Sequence, residues 1–274
     1  MGTLAGSGDA VPPNLWRVLI LLPPSEGKSV PRRGKALDLA TLTAPSLTPT
    51  RERIIDALAD LATKPDAAEI LGLGSTQAHL VDLNAHLRTA PTARADAIYT
   101  GVVYDSLDLA GLDAASRRRA NSRIGVVSSV FGLVRPGDRI PSYRLSGDVT
   151  LPGLGPVAGL WRAVLGEAVR DSLGKGLLVD LRSGTYANFW RPEADLAPRT
   201  ATVRVLHEHN GTRKVVSHFN KATKGRIVRA LMTSGANPSS PAAFASTLGE
   251  LGWHVEMGEA TPKGVQLDVV VTEL

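Results

Sequence analysis

Two short apolar runs that stop abruptly constrain the fold of this chain more than any other feature. Residues 16–22 form the first run, which Pro23-Pro24 ends, and residues 176–181 form the second, which Arg182 follows. Short, mostly apolar runs of this length are typical of strands buried on both faces of a sheet. They are far shorter than the roughly 18 apolar residues that a membrane-spanning helix needs. The sequence therefore predicts buried strands at both places, and we expect no contact with a membrane.

Segments with helical periodicity alternate with the predicted strands. Ile54, Ile55, Leu58 and Leu61 recur at helical spacing, which predicts a helix over residues 50–61. Further helices are predicted over residues 66–71, 75–87, 113–120, 157–173, 221–232 and 241–251, and further strands over residues 124–127, 201–207, 213–219, 253–257 and 265–271. Asn210-Gly211 is a strong hairpin signal between two of these strands. This order predicts one α/β domain over residues 15–274, a mixed β-sheet flanked by helices, after a flexible tail at residues 1–14.

The composition of the 274 residues limits the chemistry that the chain can perform. With 43% hydrophobic residues it can build a core, and with no cysteine it has neither disulfides, thiolate metal sites nor a cysteine nucleophile. The first residues lack the basic start of a signal peptide. We therefore expect a cytoplasmic protein, and we expect it to use no cofactor.

The positive charge of the chain is concentrated in two segments. Residues 117–144 contain seven arginines and one acidic residue, and residues 199–229 contain eight basic residues and one acidic residue. Such segregation indicates an anionic partner, such as a nucleic acid or a phosphorylated small molecule. A compositional preference for arginine is the alternative.

The loop after the first predicted strand carries candidate phosphate ligands. Ser25 and Lys28 stand on either side of Gly27, whose missing side chain lets a ligand approach the backbone. The loop is not a P-loop, because only the Gly-Lys-Ser end of that pattern is present. An ordinary exposed turn is the alternative interpretation.

A Gly-hydrophobic-Gly pattern separates two predicted helices at Gly72-Leu73-Gly74. It resembles the helix–hairpin–helix motif, in which amides of the hairpin and of the next helix start, here Ser75, contact a DNA phosphate. Because amide donors do not read bases, such binding would be independent of sequence. A plain corner with a glycine at the end of the first helix is the alternative.

Other candidate ligand-binding and proton-transferring residues follow predicted strands, where open α/β sheets place their ligands. Guanidinium, ammonium, hydroxyl and phenol groups are the side chains that bind phosphates or stack on bases. The candidates for DNA or phosphate contact in these segments are Arg135, Tyr143, Arg144, Arg182, Ser183, Lys221, Lys224 and Arg226. Lys221 and Lys224 lie three residues apart and so share one helix face. For catalysis the candidates are Lys28 or Lys221 as base or electrostatic stabiliser, with Glu26, Tyr104 or His218 moving protons.

A pair of histidines, His207 and His209, lies on one face of a predicted strand. Two imidazoles would supply half of the ligands of a metal site. This pair is the only feature of the sequence that supports a third hypothesis, a non-catalytic protein that handles iron or regulates. Because no convincing third ligand accompanies them, a surface strand is favoured and no metal site is predicted.

Six stretches taken together resemble the YaaA family of peroxide stress proteins. They are LLPPSEGKS, LGLGSTQA, YTGVVYDSLD, SSVFGLVRPGDRIPSYRLS, LLVDLRSGTY and VVSHFNKATKGRIVRAL. The resemblance implies a single α/β domain of an unusual fold with a helix–hairpin–helix element and a basic cleft. It also implies sequence-independent binding of duplex or distorted DNA, in a response that limits oxidative damage.

The first loop departs from better-known family members, which resemble Ser-Pro-Ala-Lys-Thr at this point. Lys28 still matches their lysine, but Glu26 adds a negative charge beside it. A second hypothesis therefore stays open, in which the chain is a metabolic enzyme. Its substrate would be a small phosphorylated or nucleotide-like molecule in the same cleft.

Overall fold

The structure is a computed structural model that describes residues 17–272. The predicted tail at residues 1–14 lies outside the described residues. The strands are β1 (Leu19–Leu22), β2 (Ala93–Arg94), β3 (Ile124–Ser128), β4 (Gly132–Val134), β5 (Arg139–Ile140), β6 (Thr150–Leu151), β7 (Gly155–Pro156), β8 (Leu178–Asp180), β9 (Thr200–His209), β10 (Thr212–Lys214), β11 (His254–Thr261) and β12 (Gly264–Val271).

The α-helices flank these strands. They are α1 (Thr48–Leu61), α2 (Ala67–Ile70), α3 (Val81–Ala85), α4 (Ala95–Ile98), α5 (Val102–Leu107), α6 (Ala114–Arg123), α7 (Val157–Arg162), α8 (Leu165–Leu173), α9 (Gly184–Ala187), α10 (Ser217–Ser234) and α11 (Pro241–Glu250). Short 3-10 helices cover Leu39–Thr41, Pro45–Leu47, Ser75–Leu80, Leu109–Gly111 and Ala197–Arg199. Across residues 17–272, no helix combines the length and the apolar character needed to cross a membrane.

One mixed sheet organises the fold. Its strands follow the order β11-β12-β9-β8-β1-β3-β4, and β10 pairs with the last residues of β9. The pairings β3–β1, β1–β8, β8–β9 and β9–β12 are parallel, whereas β4, β10 and β11 run antiparallel to their neighbours. Two further sheets have two strands each, β2 with β5 and β6 with β7. The predicted α/β class with a mixed sheet is therefore confirmed.

Strand β1 lies in the centre of this sheet because its residues can be buried on both faces. Ile20 pairs with Ile124 of β3 on one side and with Val179 of β8 on the other. Pro23-Pro24 then ends the ladder, since proline has no amide hydrogen to donate. The chain leaves β1 for β3 on one side and later returns to β8 on the other. Such a switch point opens a crevice at the carboxyl ends of the strands, where α/β sheets bind ligands.

The predicted hairpin at Asn210-Gly211 forms between β9 and β10, but its second strand is shorter than predicted. Asn210 and Gly211 adopt φ values of 50° and 72°, the left-handed conformation that a tight hairpin requires. The second strand nevertheless ends at Lys214, and α10 begins at Ser217 instead of residue 221. Strand β10 is exposed along its whole length, so no burial favours its extension, whereas α10 buries Ile227 and Leu231.

The segment predicted as one helix over residues 157–173 forms two, α7 and α8. The Trp161 side chain at the end of α7 donates a hydrogen bond to the Ser129 carbonyl at 2.7 Å. This tertiary contact orients α7 independently of α8, and periodicity alone cannot report it.

Helix α10 packs closely against α5, and this contact positions the first turns of both helices beside the crevice. A Cβ atom at Gly225 would lie 2.3 Å from the Val103 carbonyl oxygen, so glycine is required for the approach. Helix α5 was not predicted from the sequence, because its six residues are too few for a helical pattern.

Candidate functional site

The loop after β1 folds back on itself around Lys28. The Lys28 Nζ donates to the Ser25 carbonyl at 2.7 Å, and Ser25 Oγ accepts from the Thr100 amide at 3.0 Å. The Ser29 amide donates to the Ile98 carbonyl at 2.8 Å. These bonds tie the loop to the end of α4 and to the residues that follow it. Contacts with a segment far away in the sequence therefore help to define the position of Lys28.

The Lys28 amine lies between two tyrosine rings. Its Nζ is 4.1 Å from the centroid of the Tyr143 ring and 5.9 Å from that of Tyr99. Burial lowers the pKa of Lys28 to about 7, with a smaller lowering contribution from Arg144, while the Glu26 carboxylate opposes the change. The amine is therefore divided between its neutral and charged forms near neutral pH.

All four tyrosines of the sequence gather around this loop. The rings of Tyr99 and Tyr104 stack with centroids 5.3 Å apart, and the hydroxyls of Tyr99 and Tyr143 lie 3.2 Å apart. Tyr186 and Tyr104 line one cavity, and the Tyr104 hydroxyl donates to the Pro23 carbonyl at 2.6 Å. Burial raises the pKa of each of these phenols, so they remain protonated hydrogen-bond donors at neutral pH.

A cavity of about 870 Å³, which we call the Lys28 cavity, opens on one side of the loop. Lys28, Tyr143, Arg144 and the carboxylates of Glu69 and Asp148 line it. Ser142, also in the wall, is only 4% exposed, and among the described residues its Oγ has no hydrogen-bond partner. A buried polar atom without a partner costs free energy, which indicates that a polar ligand completes this wall.

Both the backbone and the side chain of Arg144 are held at the wall of the Lys28 cavity. Its backbone amide donates to Asn84 Oδ1 at 2.9 Å, and Asn84 Nδ2 donates to the Arg144 carbonyl at 2.7 Å. The guanidinium forms an ion pair with Glu26 across the loop. Asn84 is fully buried, so these two backbone bonds define where the arginine enters the site.

A second cavity of about 460 Å³, which we call the Lys221 cleft, lies on the other side of the loop. It is lined by Ser25, Ser183, Lys221 and Lys224 together with the first residues of α10, and it shares Glu26 and Gly27 with the Lys28 cavity. Burial lowers the pKa of Lys224, and nearby Asp180 opposes this change. Tyr104 also lines the cleft, so the structure brings five predicted residues together here, and a sixth, Glu26, forms a common wall with Gly27.

Two of the predicted arginines are engaged within the protein and lie outside both cavities, and a third, Arg226, also lines neither of them. The Arg182 side chain is fully buried, where it contacts both carboxylate oxygens of Asp180 and the carbonyls of Tyr186 and Trp190. Arg135 donates to the carbonyls of Ser122 and Ile124. Because these guanidinium groups are engaged within the protein, the predicted cations do not share a single cleft.

The Gly72 hairpin ends a very short helix. Gly72 adopts φ 64°, its amide donates to the Glu69 carbonyl at 2.9 Å, and the Leu73 amide donates to the Ala68 carbonyl at 2.8 Å. These are the two bonds of a Schellman motif, so both amides are used by the end of α2. Gly74 and Ser75 are exposed, and they begin a 3-10 helix rather than the α-helix expected there.

Comparison with known proteins identifies the family of this chain. The sequence profile of the family described as peroxide stress protein YaaA matches residues 18–255. The chain belongs to the YaaA family. A UPF0246 protein of Streptomyces coelicolor is 50% identical over 262 residues, which cover 94% of this chain and 100% of the relative. A UPF0246 protein of Corynebacterium efficiens is 40% identical over 255 residues, which cover 92% of this chain and 100% of the relative.

The range that matches the YaaA family contains every residue lining the Lys28 cavity and the Lys221 cleft. The sequence predicts Lys28, Tyr143 and Arg144 as site residues, whereas it does not predict Ser142 or Asn84. Ser142 directly precedes Tyr143 in the sequence, so the prediction of Tyr143 also indicates that Ser142 lies near the site. Asn84 carries no such signal, because its role depends on a backbone contact 60 residues away.

The histidines of this YaaA-family chain lie apart from the two cavities. His218 is exposed and packs edge-on against Phe219, with ring centroids 5.6 Å apart. His207 is buried, whereas His209 is exposed at the end of β9. Within residues 17–272, no group of three or more histidine, aspartate or glutamate side chains is placed to hold a metal ion.

Proposed function

We propose that the Lys28 cavity and the Lys221 cleft form the active site of an enzyme whose substrate is a small phosphorylated or nucleotide-like molecule. One observation carries this proposal. A lysine amine that titrates near neutral pH stands in the wall of a large cavity, beside a second cavity that contains two cations. General acid–base catalysis works best when the pKa of the catalytic group is close to the working pH.

The charges of the two cavities suit the two ends of such a substrate. The Lys221 cleft offers Lys221, Lys224 and the first turn of α10, whose exposed amides and helix dipole favour a phosphate. The Lys28 cavity carries the carboxylates of Glu69 and Asp148, which repel a phosphate and accept hydrogen bonds from hydroxyl or amino groups. The phosphate end therefore belongs in the cleft and the uncharged end beside Lys28.

Lys28 is the group that moves a proton in this proposal. Its neutral form accepts a proton from a substrate hydroxyl or carbon, and its charged form returns one. The Tyr186 phenol, in the wall of the Lys221 cleft, keeps its proton, so it acts as a hydrogen-bond donor to charge that develops on the substrate. Ser142 Oγ supplies a further polar contact from the wall of the cavity.

Thermal stabilisation by defined probes tests the proposal. Ribose 5-phosphate, AMP and ADP are added to the full chain, and the melting temperature is followed over a range of probe concentrations. Saturable stabilisation by one of these probes is expected, because a ligand that binds only the native state raises the free energy of unfolding. The Lys221→Gln variant should lose at least about tenfold in affinity, which removal of one charged hydrogen bond produces.

The Lys28→Met variant separates catalysis from binding in the same experiment. It should still bind a phosphate through the Lys221 cleft but lose turnover of any probe whose conversion mass spectrometry detects in the wild type. The exposed Lys175 provides the matched control, since Lys175→Met should alter neither binding nor turnover. Equal stabilisation of wild type and Lys221→Gln, or no response to any of the three probes, would count against the proposal.

DNA binding in the response to peroxide is the second candidate, favoured by exposed cations on β10 and α10. Lys214, Lys221 and Arg226 are all exposed there. The description of the family supports the link to peroxide stress, and the sequence resemblance supports DNA binding, for which Gly72, Gly74 and Ser75 would supply the helix–hairpin–helix contact. The exposed amides of this hairpin that a phosphate could reach lie at Gly74 and Ser75, since the Gly72 amide is engaged.

Fluorescence anisotropy with labelled duplex and bulged DNA tests this second candidate. Binding should weaken steeply between low and moderate salt, because each neutralised phosphate releases counterions. The double variant Lys214→Glu/Lys221→Glu reverses two exposed charges, so it should abolish binding while leaving the melting temperature nearly unchanged. An affinity that does not depend on salt, or a collapse of stability in the double variant, would rule against a DNA-binding role for these lysines.

A further inference from the structure

A third cavity lies on the opposite side of α10 from the Lys221 cleft. It has a volume of about 470 Å³ and lies where β9 and β12 end and β11 begins. We call it the His207 pocket; His207, Phe219, Arg226 and Trp253 are among the residues that line it. It shares no lining residue with the Lys28 cavity or the Lys221 cleft, so it is separate from the proposed active site.

Two buried polar groups in the wall of the His207 pocket have no partner among the described residues. His207 is 7% exposed, and its Nε2 atom makes no hydrogen bond. The indole Nε1 of Trp253 is likewise buried without an acceptor. Each such group loses its contacts with water on folding and gains nothing in return. Two of them in one cavity wall indicate a ligand that offers hydrogen-bonding atoms to both.

Aromatic rings form much of the wall of the His207 pocket. The rings of His207 and Phe219 pack with centroids 4.8 Å apart, and Trp253 also lines the pocket. Aromatic side chains provide flat, apolar contact area, which favours planar ligands over branched aliphatic ones. The shape of the wall and its unpaired polar atoms therefore point to a heteroaromatic ring.

The available charge at the His207 pocket is positive. Arg213 is already paired, because it contacts Glu208 at 2.6 Å and Glu256 at 2.8 Å. Arg226 is exposed and forms no ion pair with any described residue. A guanidinium group in this state binds phosphate or carboxylate with two parallel hydrogen bonds. The sequence predicted an anion contact for Arg226, and here that contact falls in a different cavity from Lys221 and Lys224.

We propose that the His207 pocket binds a small planar heteroaromatic ring that carries an anionic group. The ring packs against Phe219 and Trp253, and its polar atoms face the indole N–H and His207 Nε2. The anionic group pairs with Arg226. A nucleoside monophosphate and a free heteroaromatic carboxylate share this chemistry, and they differ in whether a sugar separates the ring from the charge.

Tryptophan fluorescence reports on this pocket directly, because Trp253 lies in its wall. The full chain is excited at a wavelength that the probes do not absorb and is titrated with AMP, adenosine and nicotinate. We expect saturable quenching by AMP or by nicotinate. If the ligand class is the nucleotide, adenosine should bind at least about tenfold more weakly than AMP, because it lacks the group that pairs with Arg226. Stronger binding of nicotinate than of AMP would assign the pocket to heteroaromatic acids.

Three variants locate the signal. Arg226→Gln, at an exposed position, should fold normally and weaken binding of the anionic probe at least about tenfold. Trp253→Phe should remove the quenching, while calorimetry still detects binding of the same probe. Lys221→Gln should leave the titration unchanged, which distinguishes this pocket from the proposed active site, since Lys221 lines the Lys221 cleft and not the His207 pocket.

The opposite results would overturn the proposal. If none of the three probes quenches the fluorescence or releases heat, the pocket does not bind this class of ligand. If Arg226→Gln binds AMP as tightly as the wild type while Lys221→Gln does not, the probe occupies the Lys221 cleft instead. If adenosine, AMP and nicotinate bind equally well, the charge of Arg226 plays no part.

Discussion

The Nζ atom of Lys28 lies 4.1 Å from the centroid of the Tyr143 ring. The ring cannot easily move away, because the Tyr143 hydroxyl lies 2.9 Å from Ser128 Oγ and 3.2 Å from the Tyr99 hydroxyl. A cation over an aromatic face is stabilised by the ring, but burial in the same place disfavours the charge. Burial is the largest influence on the pKa of Lys28, ahead of the opposing Glu26 carboxylate, so the pKa falls to about 7.

This lowered pKa predicts a specific dependence of stability on pH. In the unfolded chain Lys28 titrates near its ordinary value of 10.5, so between pH 7 and 10 the unfolded state binds more protons than the folded state. The free energy of unfolding of the wild type should therefore rise relative to that of Lys28→Met across this window. The slope is at most about 1.4 kcal/mol per pH unit. Urea denaturation at pH 6.5, 8.0 and 9.5 measures the difference.

Lys175 is the control for this measurement because its side chain is exposed. The difference between the wild type and Lys175→Met should not change over the same pH range. If the difference between the wild type and Lys28→Met is equally constant from pH 7 to 10, Lys28 does not titrate as described.

Replacement of Asn84 by alanine should destabilise the protein by about 2–4 kcal/mol. The substitution leaves the amide and the carbonyl of Arg144 without partners in a buried place, and each such loss costs about 1–3 kcal/mol. Urea denaturation measures the effect. As a control, Gln77→Ala changes an exposed residue in the wall of the Lys28 cavity and should stay within about 0.5 kcal/mol of the wild type. A similarly small effect of Asn84→Ala would mean that Arg144 is held by other contacts.

The layers of the fold were predictable because they depend on local patterns. The uninterrupted apolar run of β1 and the helical spacing in α1 each reflect burial on particular faces, which the order of residues reports directly. The prediction failed where a distant contact decides the local structure. Trp161 orients α7 through Ser129, and exposure of β10 lets the chain turn into α10 at Ser217.

The types of residue in the candidate site were predictable from the sequence, but which of them share a cavity was not. Lys28, Tyr143 and Arg144 were named from the polar segments that follow strands, and the structure brings them to one cavity. Arg182 was named by the same argument, yet Asp180, two residues earlier, holds its guanidinium inside the protein. Which partner a cation meets depends on three-dimensional geometry, and a sequence pattern does not contain it.

Arg182 provides a test of this structural role. Its side chain is fully buried against Asp180, so Arg182→Met leaves a buried carboxylate without its partner. Loss of one partner of a buried ion pair costs about 3–5 kcal/mol, and urea denaturation should show a loss of this size. The double variant Arg182→Met/Asp180→Leu should recover much of that loss, because no unpaired charge remains. A stable Arg182→Met protein that has lost only ligand binding would assign Arg182 to the site.

Alanine substitutions at two glycines with similar φ values distinguish the free-energy cost of backbone strain from that of steric crowding. Gly132 and Gly153 adopt φ values of 64° and 74°, so alanine at either position requires a left-handed backbone, at about 1–2 kcal/mol. At Gly132 the new Cβ would also lie 2.6 Å from Trp161 and 2.9 Å from Leu47, whereas nothing lies within 4 Å at Gly153.

Crowding in a packed core adds about 1–3 kcal/mol, so Gly132→Ala should be the more destabilising substitution by that amount. Thermal and urea denaturation of the two variants measure the difference directly. Equal losses would show that Trp161 and Leu47 move aside at little cost, and the segment between β3 and β4 would then be less tightly packed than its burial indicates.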